Sequence, residues 1–371
     1  MATTLITPLI VAREALITLE NNMVMGNLVH RGYEKEYQSK GATVIVRKPT
    51  SFTATAFTST VGYSTITESS VSVILNQHWD VSFQITSQEL SLDVVDFTEQ
   101  FLEPAGRAIA QAVDSTIFSL ASTAIAAHYP VSSTPAVSDI AGIAAVQDVM
   151  KVPMSQRRLV LHPVTEAAYI SLDPFLNADK RGDGTRALKE AELGRVLGYD
   201  CYMDQNVSRF NSGATGDLVG ALQGAWSAGA TAGTIDGISS GATFAVGDVF
   251  KVTGYDEWFL VDALATASAA TMVLTFTPAT KVAMADDAIV TFQDDHKVNL
   301  AFHKNAFALV SAPLVPPIGG AKAAVVSHNG LSCRVVYGYD QQYKRNNISV
   351  DFLCGFKVLD KDLAARLCDA R

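Results

Sequence analysis

The sequence predicts an α+β protein built to associate, on three observations. These are an alternating strand pair too long for one small core, a proline-started helix directly after it, and a glycine-punctuated run of short strands in the second half. From Val71 to Ile85 the odd positions (Val71, Val73, Leu75, Gln77, Trp79, Val81, Phe83, Ile85) are apolar apart from Gln77. The even positions (Ser72, Ile74, Asn76, His78, Asp80, Ser82, Gln84) are polar apart from Ile74. A period of two marks a half-buried strand. At about 3.3 Å per residue this one reaches roughly 50 Å, well past the usual length. Upstream, residues 42–48 (ATVIVRK) form a second β-rich run that Pro49 stops. Residues 50–70 between them are rich in Ser and Thr, with Glu68 their only charge, and Phe52, Thr53, Thr55 and Phe57 can carry the hairpin outward. An isolated hairpin is marginal by itself and open strand edges invite pairing, so the arm predicts a neighbouring subunit.

The remaining elements follow in chain order. At the amino terminus Thr7 is placed to cap a helix with Pro8 at its first position and Leu9, Ala12, Leu16, Leu19 and Met23 along one face. After the arm, residues 89–102 are mixed. Pro104 then opens a helix of about 22 residues, a rod of roughly 33 Å. Its predicted buried face is Ala105, Ala108, Ile109, Ala112, Val113, Ile117, Leu120, Ala121, Ala124 and Ile125, with Arg107, Gln111 and Asp114 opposite. It ends before Pro130, and Ser138 or Asp139 caps a further helix to Met150. A buried strand at 157–162, a helix at 163–172, a polar loop at 177–185 and a short helix at 187–193 complete an α/β layer. Glycines crowd 213–247, and strands are predicted at 249–253, 257–261, 271–277 and 288–293 with aspartates at the turns. This reads as a small β-barrel inserted at 223–297. Beyond it, 333–339 and 348–356 flank a polar turn as a second hairpin.

Size and charge narrow the function. With 371 residues and a net charge of −9, the chain has room for a sizeable core but no clustered Lys and Arg for tight phosphate-backbone binding. Cys201, Cys333, Cys354 and Cys368 lack CxxC spacing and read as reduced thiols, with a strand-paired Cys333–Cys354 contact as the less favoured alternative. No apolar run is long enough to span a membrane, and the amino terminus lacks the basic start of a signal peptide.

The search for chemistry is nearly empty. Gly237-Ile238-Ser239-Ser240-Gly241 spells a nucleophile elbow but lacks the strand-to-helix setting, so a turn is expected. Residues 177–184 hint at a calcium loop without its closing glutamate, and Arg181-Gly182-Asp183 is an exposed turn. His30, His78, His128, His162, His296, His303 and His328 are scattered without metal-ligand spacing, and no Walker or dinucleotide fingerprint occurs. Asn206 and Asn347 match a glycosylation pattern that has no meaning without secretion. No catalytic, cofactor-binding or metal-ligating residue is assigned, and no enzyme activity is expected.

The order of segments nevertheless resembles the coat proteins of tailed bacteriophages, specifically the short-tailed-phage family with an inserted β-barrel. The resemblance rests on TPLIVAREALITLENN with NLVHRGYEKEY, GATVIVRKP, DVSFQITSQEL, FLEPAGRAIAQAVDSTIFSL, ELGRVLGYDCYMDQNV, AFHKNAFALVSAPL and RVVYGYDQQYKRNNISVDFLCGFKVL, in that order. It implies an N-terminal arm at 1–37, an extended loop at 38–85, a peripheral domain with the spine helix at 86–130 and 331–371, an axial domain at 131–222 and 298–330, and the inserted barrel at 223–297. It further implies hexamers and pentamers closing into an icosahedral shell around double-stranded DNA. Scaffolding protein, portal and a decoration protein are the implied partners, and the virion, assembled in the host cytoplasm, is the implied location. An encapsulin-like nanocompartment is the alternative, and a β-rich adhesin or carbohydrate-binding protein a more distant one.

Overall fold

Pro8 opens the first helix, which runs to Asn22 and buries Val11, Ala12, Ala15, Leu16 and Leu19. Leu9, predicted on that face, is 45% exposed because it lies at the margin of the arc the others define. The computed structural model describes residues 8–31, 43–47, 70–86, 98–131, 134–176, 191–213, 219–317 and 322–370. Thr7, the arm's Ser/Thr-rich stretch, the loop 177–185 and residues 187–190 of the predicted short helix lie outside them; Ala191–Leu193 are not helical. Contacts divide the chain into two units: Met1–Met23, Val29–Ala112 and Phe307–Leu359 form one, and Val24–Leu28, Val113–Ala306 and Asp360–Arg371 the other.

In the first unit an antiparallel sheet is ordered Phe307–Ser311, Arg345–Val358, Leu331–Asp340, Lys322–His328, with Gln77–Thr86 paired along the other margin of Arg345–Val358. The first helix packs against Lys322–His328 and Leu331–Asp340. The predicted second hairpin is present, joined across Asp340 and Arg345. Its turn is closed by the Asp340 carboxylate, which accepts from the Gln342 and Tyr343 N–H groups at 2.9 and 3.3 Å.

The alternation over 71–85 is visible residue by residue, odd positions buried or half-buried and even ones exposed. The single long strand is not. It breaks at Leu75-Asn76 into Ser70–Ile74, which pairs with Thr43–Arg47, and Gln77–Thr86, which pairs with Arg345–Val358. The break lies over Gly355, where a Cβ would collide with the Ile74 carbonyl oxygen. Phe83 also stacks on Phe101 at 5.4 Å, so part of the apolar face assigned to a neighbour is covered by the chain itself. Val44, Val46 and Val73 pack on Ala308, Val310 and Leu359, leaving Ile45 and Ile74 on the outer side at 59% and 54% exposure.

A short π-helical turn, Thr98–Leu102, leads into the Glu103–Ala124 helix, and the division between the units falls within it. Two residues depart from the predicted face: Ala108 is exposed, and Asp114 is fully buried. In the second unit a seven-stranded mixed sheet carries the order His128–Pro130, Ala364–Asp369, His296–His303, Arg157–Leu161, Tyr199–Met203, Arg195–Val196, with Arg209–Phe210 on His296–His303. Its core gathers Ile140, Ile143, Leu159, Leu161, Tyr169 and Tyr199 beneath the Val137–Val149 and Pro163–Ile170 helices. Neither Ser138 nor Asp139 is the cap. Ala136 is, and Asp139 reaches back from the third position to accept the Ala136 N–H at 2.9 Å.

The inserted module is a closed barrel of Ala232–Asp236, Thr271–Thr277, Trp258–Val261, Val249–Val252, Ile289–Phe292 and Val219–Leu222. Alternating inward residues fill it, with Trp226, Phe250, Phe259, Phe276 and Phe292 stacked or edge-on at its centre.

Candidate functional site

The motifs singled out in the sequence do not become an active site. Gly237–Gly241 is the turn between the Ala232–Asp236 and Thr243–Phe244 strands, with both glycines at positive φ and Ile238 as its buried anchor. No helix follows it, so no elbow forms. The calcium-like loop lies outside the described residues. His162 caps the Pro163–Ile170 helix through Nδ1, which accepts the Val164 N–H at 3.2 Å. His303 does the same for the Asn305 N–H, and His78 stands on the exposed edge of its strand, 3.8 Å from Asp351. All four cysteines are free thiols, and in the strand register Cys333 faces Phe352 rather than Cys354.

Two histidines do come together, and spacing gave no sign of it. His128 and His296, with Arg366 and Cys368 from the last strand, form a buried polar seat where the barrel meets the seven-stranded sheet. Arg366 is fully buried. Its Nη1 donates to Ser122 O at 2.9 Å and Gly247 O at 3.2 Å, and its Nη2 to Gly247 O at 3.2 Å. Ser122 stands in the last turn of the long helix and Gly247 two residues before the barrel strand Val249–Val252, so one guanidinium ties helix, strand and barrel together. The Phe210 ring lies 6.0 Å from its carbon. Asp248 keeps its own loop in place, accepting the Ala245 and Gly213 N–H groups at 2.6 and 3.2 Å, while burial raises its pKa.

Around the charged Arg366, His128, His296 and Cys368 are neutral. His128 Nε2 contacts Gln293 Oε1 at 3.2 Å and its Nδ1 contacts Cys368 Sγ at 2.8 Å, under the Trp258 ring at 4.2 Å. Burial pushes the Cys368 thiol up to about 12, so it is no nucleophile, and burial with the nearby Arg366 charge holds His128 well below its ordinary value. Burial and Arg366 likewise lower His296 to about 4. Because that lies below the value of an unfolded histidine, the unfolded chain binds this proton first as the pH falls. The stability that neutral His296 contributes is complete above about pH 6.5 and lost on the way to about pH 4, roughly 3 kcal/mol at most. A His296→Phe variant is expected to flatten that acid loss, measured as the difference in urea midpoint from the parent between pH 7 and pH 4.5. Comparison with the parent removes the opposite slope of Asp114 and Glu166, each raised by burial to about 7.

Asp114 explains why a carboxylate sits on a buried helix face. It accepts the Val24 and Gly26 N–H groups at 2.8 and 3.0 Å and so fixes the turn Met25–Leu28, where Arg158 also donates to Leu28 O. No group of three or more metal-ligating side chains occurs among the described residues. No helix among them is long and apolar enough to cross a membrane. Apolar residues left outward include Ile45 and Ile74 at the base of the arm, Ile10 and Ile17 on the first helix, and Val149 and Met154, at 81% and 72% exposure, at and after the end of the Val137–Val149 helix. Arg157 holds that last loop, donating to Pro153 O, Val152 O and Asp148 at 3.1, 2.6 and 2.7 Å.

No protein-family model and no curated protein matches the chain by sequence. Solved structures do match. A structure from Mycobacterium phage Che8 aligns over 93% of this chain and 90% of its own, with a TM-score of 0.51 and 14% identity. The capsid structure of the cyanophage P-SCSP1u aligns over 90% and 85%, with 0.51 and 14%, and the capsid of Ralstonia phage GP4 over 92% and 86%, with 0.52 and 10%. The fold is that of phage capsid proteins. At these identities the capsid fold is shared as a course of chain, not as a set of side chains.

Proposed function

We propose that the chain is the major capsid protein of a tailed bacteriophage, assembling as hexamers and pentamers into the icosahedral head that encloses double-stranded DNA. The capsid fold over nine-tenths of the chain is the observation that carries this reading. The outward Ile45 and Ile74 support it, because the base of the arm offers apolar surface that a neighbouring copy would cover. The N-terminal arm (1–37) and extended loop (38–85) reach over neighbours. The peripheral parts (86–130 and 331–371) carry the spine helix, the axial parts (131–222 and 298–330, apart from the Val219–Leu222 strand that closes the barrel) gather at hexamer and pentamer centres, and the barrel (223–297 with that strand) stands as the insertion. A net charge of −9 suits a container that does not grip its polyanionic cargo. A scaffolding protein, a portal and a decoration protein are its partners, and the shell is built in the host cytoplasm.

Electron microscopy of the purified protein, alone and with a candidate scaffolding protein, tests the proposal. Closed shells or capsomers are expected, and dispersed monomers under both conditions would refute it. Deleting residues 53–67 is expected to leave a folded subunit, by circular dichroism, that forms no stable shells. Shell yield equal to the parent's would remove the role given to the arm.

A further inference from the structure

We propose that a water molecule is built into the barrel seat, bridging Arg366 Nε to Asp248 Oδ1 with the Ser212 hydroxyl and His296 Nε2 completing its shell. These four polar atoms are all buried and none makes a well-formed hydrogen bond to protein, the Ser212 hydroxyl lying only near enough to the Asp248 carboxylate to lower its pKa. The residues themselves are 0%, 1%, 7% and 1% exposed in that order, so bulk solvent does not serve them. They gather around Arg366. Its guanidinium bonds Gly247 O, the residue before Asp248, and its charge lowers the pKa of both Asp248 and His296. Ser212 stands beside Asp248, and the Phe210 ring contacts both Arg366 and His296.

The chemistry of the four atoms selects the ligand. Arg366 Nε–H can only donate. Asp248 Oδ1 is an acceptor. His296 Nδ1 lies 2.7 Å from the Asp294 carbonyl and must donate to it, which leaves Nε2 of the neutral ring as an acceptor. The Ser212 hydroxyl does either. A single water accepts from Arg366, donates to Asp248 and His296, and exchanges with Ser212, the usual complement of a buried water. A cation would face the guanidinium, and an anion would face the carboxylate and the imidazole lone pair. The water lets the barrel meet the sheet through a polar joint in which every group is satisfied. This inference is independent of shell assembly.

The test is a structure of the purified wild-type protein, as subunit or shell, at a resolution that resolves ordered water. A water-strength peak is expected at about 2.7–3.2 Å from both Arg366 Nε and Asp248 Oδ1. A direct Arg366 Nε–Asp248 bond would overturn the proposal. So would ordered side chains with no peak between them, or a peak with oxygen distances near the 2.0–2.4 Å of a metal ion. As a second readout, the Arg366 Hε proton should show a cross-relaxation peak to water in the selectively labelled subunit; its absence, with Hε itself observed, counts against the site.

Discussion

Replacing Arg366 by alanine is expected to lower subunit stability by about 3–5 kcal/mol. The side chain is fully buried and makes three hydrogen bonds to two carbonyls, one in the long helix and one in the barrel. Alanine removes all three, strands Ser122 O and Gly247 O, and takes from Asp248 a positive charge that holds its pKa down. It also leaves a void beneath Phe210. Arg366→Met separates these effects. It fills much of the volume and removes the cost of burying a charge, so it should lose clearly less than alanine. Arg366→Lys keeps the charge but not the fork that reaches helix and barrel at once, and should fall between parent and alanine. Urea denaturation of the unassembled variants gives the ranking. A loss below about 1 kcal/mol for alanine would mean that apolar packing alone seats the barrel.

What the sequence disclosed and what it hid divide along the same line, local pattern against distant contact. The in-and-out order of Val71 to Ile85 was readable because a strand needs only alternate residues to declare its buried face. The helix start was readable from Pro104, and the later barrel strands from their β-branched and aromatic runs. The first two barrel strands were hidden by Gly220 and Gly233, which look like loop residues. Gly233 is glycine because the Trp226 ring occupies the space of its Cβ. Asp114 looked solvent-facing because nothing near it in sequence announces the Val24 and Gly26 N–H groups. The polar seat was invisible for the same reason: Ser122, His128, Gly247, His296 and Arg366 meet only after the sheet has formed. The capsid fold was legible from the order of segments, and the fold comparison agrees with it although no family model and no curated protein matches by sequence.

Gly355→Ala should cost about 3 kcal/mol and free the base of the arm. At this position the Arg345–Val358 strand runs under the corner where the chain leaves Ser70–Ile74 and enters Gln77–Thr86. An added Cβ would strike the Ile74 carbonyl oxygen and sit 3.2 Å from Leu75 Cα. Both are backbone atoms, so no rotamer change relieves the clash. Either the corner lifts away or the Val310–Gly355 pairing opens. Lifting is the cheaper route, because it gives up only the contacts of Val44, Val46 and Val73 with Ala308, Val310 and Leu359. Hydrogen exchange should therefore quicken at 43–47 and 70–74 while 345–352 stays protected. Gly338→Ala is the control: on the adjacent strand its Cβ meets only the Asn347 Cβ, at 4.0 Å, and a change within about 1 kcal/mol is expected. If Gly355→Ala proves equally mild, the kink at Leu75-Asn76 has another cause. If the exchange pattern appears and shells no longer form, the glycine is what aims the arm, and a residue far from the loop in sequence governs how one subunit reaches the next.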